Sequence, residues 1–443
     1  MYFIVVCDSF GIGADPSAGD YGDAGSNTAR SASSGIGGEK WLFLERLGLG
    51  NAYELTEGDI LPSAVPVRYP LAGFGAMKKI SPGKDTQTGH WEIAGLIADV
   101  HLVQMQPEYP SFGKEITDML KAETGYDFLG NYAASGTVII EDLGDEHIRT
   151  GKPILYTSAD SVMQIAAHVD VIPLEELYRI CAGARRVCDK FGIGRVIARP
   201  FKDAPEGSQS RFLRTLDRRD FGIELPGESY FTSEFPKYGL SGVAVGKIGD
   251  IFNETGFDFS FHDKGNDQCL ARMTEIVTRG IPDIPERSVV FINLVDTDTL
   301  YGHRRDPAGY GREIMRISRY LEGFCGLMRN TDVLYFTADH GCDPGFSGTD
   351  HTREYVPLLV FDKSLVNDDG PVEAPEADAR CLGISEGFNW CVKDIIRREK
   401  ECASNGTVYS LKSVQNEKER QYLRIFLSEE FGSPHFQPEQ PVS

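Results

Sequence analysis

Three aspartates of this 443-residue chain follow short apolar runs that are typical of buried strands. Asp8, Asp298 and Asp339 each stand at or just after the end of such a run. A single aspartate in this position is most often the N-cap of a helix. Three together are better explained by a shared ligand site, because the carboxyl ends of parallel strands meet at one edge of an open α/β sheet.

Three of the nine histidines fall beside these acids. His303 lies five positions after Asp298, His340 is adjacent to Asp339, and His351 lies eleven positions further on. Three carboxylates and three imidazoles without thiolates suit Mn²⁺ or Zn²⁺, and ligand chemistry alone does not choose between them. Such a set could hold two divalent ions about 3.5–4 Å apart, an arrangement that stabilises phosphoryl transfer. The alternative is a group of structural histidines satisfied by hydrogen bonds.

The polar segment Gly83–Glu92, GKDTQTGHWE, could supply a nucleophile and follows the strand-like segment Leu71–Met77. Metal coordination activates a hydroxyl nucleophile near neutral pH, and either Thr86 or Thr88 could serve beside two metal ions. The alternative is a turn that leads into a helix starting near Trp91, with Thr88 as its N-cap. The residue types by themselves leave these readings open.

The elements that must position these residues are predicted by hydrophobic patterning. Apolar runs without alternation indicate strands buried on both faces, as in a parallel sheet; they are Tyr2–Cys7, Ser288–Val295, Asp332–Thr337 and Pro357–Phe361. Helical patterns lie between them, at Asn266–Arg279, Gly309–Met328 and Gly387–Lys400. This alternation predicts an α/β fold, a mostly parallel sheet with helices on both faces.

The middle of the chain carries mixed strand and helix patterns and predicts a second domain inserted into the first. We expect a first core segment at 1–97, an inserted α/β cap at 98–221, a second core segment at 222–400 and a C-terminal extension at 401–443. The length is sufficient for two or three domains.

The composition excludes several classes of protein. The 45 basic and 66 acidic residues give a net charge of −21, which disfavours nucleic acid and anionic membranes as partners. The first apolar run ends at Asp8, too early for a signal peptide or a spanning helix. Nine scattered cysteines without a CxxC motif favour the reducing cytoplasm.

Several motifs, in order along the chain, resemble the phosphopentomutase family of the alkaline phosphatase superfamily. They are Asp8–Gly13 (DSFGIG), Gly83–Glu92, Val295–Asp306 (VDTDTLYGHRRD), Thr337–Gly341 (TADHG) and Gly348–Glu354 (GTDHTRE). The resemblance implies an alkaline-phosphatase-like core with two divalent metal ions, usually Mn²⁺, and a smaller inserted cap. It also implies an isomerase that interconverts (deoxy)ribose 1-phosphate and (deoxy)ribose 5-phosphate. Phosphothreonine and a pentose 1,5-bisphosphate would be the intermediates, and a sugar bisphosphate the activator.

Matched residue by residue, the resemblance places the nucleophile at Thr86. It places the metal ligands on the six residues already singled out, namely Asp8, Asp298, His303, Asp339, His340 and His351. Another phosphatase of the same superfamily or a phosphoglycerate-type mutase is the alternative function, and a catalytically silent scaffold is a second alternative.

The resemblance also implies substrate contacts in the cap. Ser158 and Asp160 of the segment YTSADS would contact the pentose. Arg199 and Arg214 are suited to holding a phosphate, and Lys247 would lie at the junction of cap and core. The sequence departs from the family at Asp217, where asparagine is typical.

Overall fold

The computed structural model describes residues 1–99, 103, 105–157, 162–208, 210–365 and 380–405. Within these ranges the strands are β1 Tyr2–Cys7, β2 Gly73–Lys78, β3 Leu129–Ala133, β4 Ile154–Thr157, β5 Val162–His168, β6 Arg195–Asp203, β7 Phe212–Arg214, β8 Arg219–Gly222, β9 Ser241–Val245, β10 Phe259–Phe261, β11 Ser288–Leu294, β12 Val333–Thr337, β13 Val356–Asp362 and β14 Cys381–Glu386.

The α-helices in the same ranges are α1 Thr28–Gly35, α2 Leu42–Leu47, α3 Leu49–Glu57, α4 Thr86–Ile93, α5 Lys114–Thr124, α6 Gly136–Thr150, α7 Leu174–Cys188, α8 Tyr230–Ser233, α9 Ile248–Ile251, α10 Gly265–Val277, α11 Pro307–Leu327 and α12 Trp390–Asn405. Shorter helical turns are Ala18–Tyr21, Asp189–Phe191, Phe235–Tyr238, Lys363–Leu365 and the π-helical turn Thr297–Gly302. No helix within the described residues is long and apolar enough to cross a membrane.

The chain divides into two compact units. The larger one consists of Met1–Asp99 and Pro226–Ser443, and the smaller one of Val100–Leu225. The role of the smaller unit as a cap, with the bounds 98–221 predicted from the sequence, remains a proposal. Most of the predicted C-terminal extension, from residue 406, lies outside the described residues.

The larger unit is built on an eight-stranded sheet with the strand order β10-β9-β11-β1-β12-β13-β2-β14. Neighbouring strands are parallel except at β13, which runs antiparallel to both β12 and β2. The predicted α/β class with a mostly parallel sheet is therefore confirmed. The expectation that Pro357–Phe361 belongs to a parallel pair is wrong, because β13 is buried along its whole length and its apolar run reports burial rather than direction.

Local sequence explains where the longest helix of this unit begins. The Asp306 side chain accepts a hydrogen bond from the Gly309 N–H, and Pro307 occupies the first turn of α11. Asp306 is therefore the N-cap, and proline is tolerated because its missing N–H has no acceptor inside the helix. The helix carries Tyr310 and Ile314 into the core.

The smaller unit has its own sheet, β3-β4-β5-β6-β7, with β8 paired to β6. Alternate side chains of β5 enter two apolar clusters. Met163 and Ile165 pack with residues of α5 and α7, whereas Ala166 packs with Ile139 and Ile140 of α6. Helices therefore cover both faces of this sheet as well.

Candidate metal centre and nucleophile

Three neighbouring strands of the larger sheet deliver the predicted aspartates to one edge. In the register of the sheet, Cys7 of β1 lies opposite Leu294 of β11, and the preceding residue of β1 lies opposite Thr337 of β12. Asp8 follows β1 directly, Asp339 follows β12 after one residue, and Asp298 lies in the π-helical turn after β11. All three carboxylates are buried. The parallel register thus brings together acids that are far apart in sequence.

One group of potential ligands consists of Asp298, His303 and His351. The two carboxylate oxygens of Asp298 lie 3.4 Å from His303 Nε2 and 3.5 Å from His351 Nε2, and the two Nε2 atoms are 3.1 Å apart. His303 Nδ1 lies 2.6 Å from the Thr349 carbonyl oxygen. Donation from Nδ1 to this carbonyl leaves His303 Nε2 free to coordinate a cation, the usual arrangement for a metal-bound histidine.

A second group consists of Asp8, Asp339 and His340. His340 Nε2 lies 3.5 Å from Asp8 Oδ1 and 3.1 Å from Asp339 Oδ2, and the Ser9 N–H donates to the other Asp339 oxygen. Asp298 also lies within ligand distance of Asp8 and His340, so it belongs to both groups. The six predicted ligands are therefore brought together, as two adjoining sets.

The electrostatics of this cluster fit divalent cations. Asp8 Oδ1, Asp298 Oδ1 and Asp339 Oδ2 are buried and have no hydrogen-bond donor among the described residues. Burial raises the pKa of Asp8 to about 6, the carboxylates of Asp339 and Asp298 add to this, and the Lys247 ammonium acts against it. Buried carboxylates without donors are costly unless a cation compensates them. Oxygen and imidazole donors of this kind suit divalent metal ions.

Thr86 lies beside the second ligand group. It is the first residue of α4, and its Oγ1 is 3.0 Å from His340 Nε2. The N-cap of α4 is Asp85, whose side chain accepts a hydrogen bond from the Thr88 N–H. The alternative in which Thr88 caps a helix near Trp91 is therefore wrong, because the helix begins five residues earlier.

The hydroxyl of Thr88 is engaged elsewhere. Thr88 is fully buried, and its Oγ1 accepts a hydrogen bond from Lys79 Nζ (2.7 Å) and donates one to Asp85 Oδ2 (2.7 Å). Phosphorylation of Thr88 would remove the proton that its hydroxyl donates to Asp85 Oδ2 and would place a phosphoryl group at a fully buried position. Of the two threonines, the geometry favours Thr86.

Residues that the sequence reasoning missed also contact this site. His90 and Asn293 are fully buried and bridge ligands of the second group. Lys84 forms ion pairs with Asp23 (3.0 Å) and Asp350 (3.1 Å) near the nucleophile segment. Asn293 had a usable signal, a polar residue inside the apolar run FINLV, and His90 is one of only nine histidines.

The predicted substrate-binding residues lie in several places. Ser158 and Asp160 lie outside the described residues. Lys247 precedes α9 in the larger unit. Arg199 in β6 donates from Nε to Gln164 Oε1 (2.9 Å), and Arg214 ends β7.

In the smaller unit these two arginines lie near a third, Arg218, which forms an ion pair with Asp220 (2.6 Å). Burial lowers the pKa of Arg199, and the nearby Arg218 and Arg214 guanidinium groups lower it further. Arg214 Nε is buried without a hydrogen-bond acceptor among the described residues. Such guanidinium groups are suited to binding an anion.

A cavity of about 690 Å³ in the larger unit lies away from this chemistry. It borders the amino-terminal ends of strands, near Tyr2, Leu240, Ser288 and Thr331. None of the predicted site residues lines it. The candidate site is therefore identified by side-chain chemistry rather than by concavity.

The chain is similar to curated proteins over most of its length. Residues 241–382 match the Metalloenzyme superfamily. A phosphopentomutase of Anaeromyxobacter sp. (strain K) is 46% identical over 360 residues, which cover 81% of this chain and 88% of that protein. A phosphopentomutase of Alkaliphilus oremlandii (strain OhILAs) is 42% identical over 364 residues, 82% of this chain and 88% of that protein. The solved PH0037 protein from Pyrococcus horikoshii is a distant likeness, 14% identical with a TM-score of 0.42, covering 89% of this chain and 97% of that one.

Proposed function

This chain belongs to the phosphopentomutase family, and from that premise we propose that it interconverts (deoxy)ribose 1-phosphate and (deoxy)ribose 5-phosphate with Thr86 as the phosphoryl carrier. The observation that carries the residue assignment is the position of Thr86 Oγ1, 3.0 Å from His340 Nε2 at the edge of the six-ligand cluster. A nucleophilic hydroxyl must lie within hydrogen-bonding or coordination distance of the groups that activate it.

The ligands divide between two divalent ions in this proposal. Asp298, His303 and His351 hold one ion, and Asp8, Asp339 and His340 hold the other. When bound, such ions neutralise charge on the oxygens of a transferring phosphoryl group and favour the ionised form of a hydroxyl nucleophile. We propose Mn²⁺ as the bound metal because the resemblance to the phosphopentomutase family implies it, and the carboxylate and imidazole donors are compatible with it.

The chain's own groups at Thr86 favour a phosphorylated side chain. Thr86 is the first residue of α4, so its side chain lies at the positive end of the helix dipole. In the proposed cycle the bond between Thr86 Oγ1 and phosphorus breaks while a bond forms from phosphorus to the free hydroxyl of the pentose phosphate. The hydroxyl proton is lost and the Thr86 oxygen gains one, which gives a pentose 1,5-bisphosphate. Return of the other phosphoryl group restores phosphothreonine and completes the isomerisation, and a sugar bisphosphate activator would prime the first cycle.

Substrate contacts are proposed for the residues matched in the sequence. Arg199 and Arg214 would bind the phosphate that does not react, since their guanidinium groups lie in one cationic cluster and Arg214 Nε has no acceptor among the described residues. Ser158 and Asp160 would contact the pentose, and Lys247 would contribute a further positive charge. Asp217 stands where the family typically has asparagine, and its backbone carbonyl oxygen accepts a hydrogen bond from the Tyr178 hydroxyl (2.8 Å).

The proposed partners are small-molecule pentose phosphates, without nucleic acid or membrane. The net charge of −21 disfavours both of the latter. We place the reaction in the cytoplasm, where nine cysteines without a CxxC motif would stay reduced.

The decisive experiment follows the isomerisation of ribose 1-phosphate with Mn²⁺ and a sugar bisphosphate. We expect Thr86→Ala to abolish ribose 5-phosphate formation, and Thr86→Ser, which keeps a hydroxyl, to retain part of the rate. Mass spectrometry is expected to find phosphate on Thr86 of the wild-type protein. Equal rates for wild type and Thr86→Ala would refute the nucleophile, whereas release of inorganic phosphate or turnover of phosphoglycerate alone would favour the alternative functions.

A further inference from the structure

His90 lies at the point where the nucleophile helix meets the metal ligands. It is fully buried in α4, four positions after Thr86. Its Nδ1 lies 2.9 Å from the Thr86 carbonyl oxygen and 3.1 Å from Asp339 Oδ2. One imidazole therefore touches both the backbone of the proposed nucleophile and a proposed metal ligand.

Asn293 extends this contact to a second ligand. It is fully buried in β11, and its Nδ2 lies 3.0 Å from Asp8 Oδ2 and 3.1 Å from His90 Nε2. The amide thus stands between the imidazole and the aspartate that ends β1. Together the two side chains connect α4, β11, the end of β1 and the segment after β12.

Only one assignment of donors and acceptors satisfies the hydrogen bonds between Asp8, Asn293 and His90. Asp8 Oδ2 accepts, so the Asn293 atom facing it must be the amino group rather than the amide oxygen. That amino group then donates its second hydrogen to His90 Nε2, which must be unprotonated. The proton of the imidazole is therefore on Nδ1, where the Thr86 carbonyl oxygen accepts it, and Asp339 Oδ2 lies 3.1 Å from the same nitrogen.

Burying the polar side chains of His90 and Asn293 costs folding free energy wherever one of their polar atoms lacks a hydrogen-bond partner. Asn293 is the one polar residue in positions 289–294 of β11, and its Oδ1 is buried without a donor among the described residues. A valine or leucine would satisfy the sheet without that penalty. Departures of this kind from a well-packed core are characteristic of functional sites.

We propose that His90 and Asn293 are positioning residues that hold Asp8 and Asp339 in the orientation needed for metal binding and fix both relative to Thr86. The inference rests on the proposed metal centre and concerns two residues to which the family resemblance assigned no role. The imidazole orients Asp339, the amide orients Asp8, and the hydrogen bond between them makes the two orientations depend on each other. A shift of α4 would disturb the ligands, so the nucleophile and the metal centre move as one unit.

The test measures Mn²⁺ affinity directly, for example by electron paramagnetic resonance titration, together with kcat and KM. Glutamine at position 90 cannot reach both partners of Nδ1, so we expect His90→Gln to raise the Mn²⁺ dissociation constant and lower kcat by about tenfold to a hundredfold. KM for ribose 1-phosphate should stay unchanged, because neither residue is proposed to bind the sugar. Asparagine can place its amide nitrogen near the Nδ1 position, so His90→Asn should recover part of both values.

Controls separate positioning from loss of fold. His147 is a buried histidine of the smaller unit that contacts the Lys152 carbonyl oxygen through Nδ1 (2.7 Å). His147→Gln should lower thermal stability without changing Mn²⁺ affinity. Asn293→Ala should weaken Mn²⁺ binding, and its effect should not add to that of His90→Asn, because both remove the same hydrogen bond.

Unchanged Mn²⁺ affinity and kcat in His90→Gln and Asn293→Ala, with thermal stability near that of wild type, would overturn the proposal. If His90→Gln does not fold, the affinity of His90→Asn and its coupling to Asn293→Ala decide the question. A wild-type protein that binds Mn²⁺ without isomerising ribose 1-phosphate would refute the proposed function alone, since the affinity comparison remains valid.

Discussion

Thr86 and Thr88 stand two positions apart in α4, yet their hydroxyl groups have different surroundings. Thr86 Oγ1 faces His340, whereas Thr88 Oγ1 lies between the Lys79 ammonium and the Asp85 carboxylate. Burial lowers the pKa of Lys79, and the Asp85 carboxylate acts against this shift. At this scale the hydrogen-bond partners, rather than the residue type, distinguish the proposed phosphoryl carrier from a structural side chain.

Thr88→Val removes the hydroxyl and keeps the shape. We expect the free energy of unfolding to fall by about 1–3 kcal/mol, because Lys79 and Asp85 lose a buried partner. Urea denaturation measures this loss, and mass spectrometry should still find phosphate on residue 86. Thr86→Val is the matched variant and should change stability by less than about 0.5 kcal/mol while abolishing isomerisation. Phosphate found on Thr88 of the wild-type protein would contradict this assignment.

At the scale of elements, α4 is held against the sheet edge by close packing and by the segment that precedes it. Gly89 allows this approach, since a Cβ there would lie 2.3 Å from the Asp339 carbonyl oxygen. Arg353 donates to the carbonyl oxygens of Ser81 (2.8 Å) and Gly83 (2.6 Å) and forms an ion pair with Asp15 (2.9 Å). The arginine of the DHTRE segment therefore fixes the loop that enters α4.

Gly89→Ala should force α4 away from Asp339. We expect a loss of about 1–3 kcal/mol in unfolding free energy, as for other overpacked sites, together with weaker Mn²⁺ binding. Gly323→Ala is the control, because Gly323 is exposed in α11 and a Cβ there has open space. That variant should gain about 0.5–1 kcal/mol from reduced chain entropy. Equal Mn²⁺ affinity in Gly89→Ala and Gly323→Ala would argue against the close approach.

The last helix is attached to the sheet through a buried ionic network. Arg398 in α12 bonds to Asp394 (2.6 Å) and to Asp362 of β13, and the Tyr335 hydroxyl donates to Asp394 (2.8 Å). Burial raises the pKa of Asp394, but Arg398 and Arg397 outweigh it and hold that pKa below its usual value. A carboxyl group with a lowered pKa in the folded state stabilises the fold above its unfolded pKa, and this contribution is lost as the pH falls through the folded value.

Asp394→Asn should therefore destabilise the protein by about 3–5 kcal/mol at neutral pH, because it leaves a buried guanidinium without one of its anions. The difference from wild type should shrink as the pH falls through the lowered pKa of Asp394. Denaturation curves measured from pH 7 downward test both statements. A difference that stays constant down to the acid limit of folding would show that the charge of Asp394 contributes nothing.

On the scale of the whole molecule, the negative charge is unevenly distributed. The chain carries a net charge of −21, and three of its carboxylates are buried together at the edge of the larger sheet. The smaller unit places Arg199, Arg214 and Arg218 close to one another. The net charge of the whole chain therefore does not describe the local charge at the aspartate cluster or at the arginine cluster. At the aspartate cluster, bound divalent ions would also reverse the local field of the carboxylates.

Metal removal should consequently lower the stability of the larger unit. Ligand that binds only the folded state adds about 2.7 kcal/mol at a concentration of 100 times its dissociation constant. We expect a chelator to lower Tm in calorimetry and added Mn²⁺ to restore it. Asp298→Asn, which alters the carboxylate shared by both ligand groups, should show a much smaller Mn²⁺-dependent shift. A wild-type Tm that does not respond to Mn²⁺ would contradict the metal centre.

The sequence by itself determined the α/β class, the strands that lead into aspartates and the family. Each of these follows from a pattern or motif of residues that are adjacent in the chain. Burial on both faces produces an apolar run, and the motifs around Asp8, Thr86, His303 and His340 keep their order along the chain. These signals do not depend on which segments become neighbours.

Only the tertiary structure decided the direction of β13, the N-cap at Asp85, the different partners of the Thr86 and Thr88 hydroxyl groups and the bridge formed by His90 and Asn293. Apolar patterning records burial and is the same for parallel and antiparallel strands. The role of a polar side chain depends on partners brought to it by strand register, as Asn293 is brought to Asp8 from 285 positions away. Such contacts arise when the sheet assembles, and no local pattern encodes them.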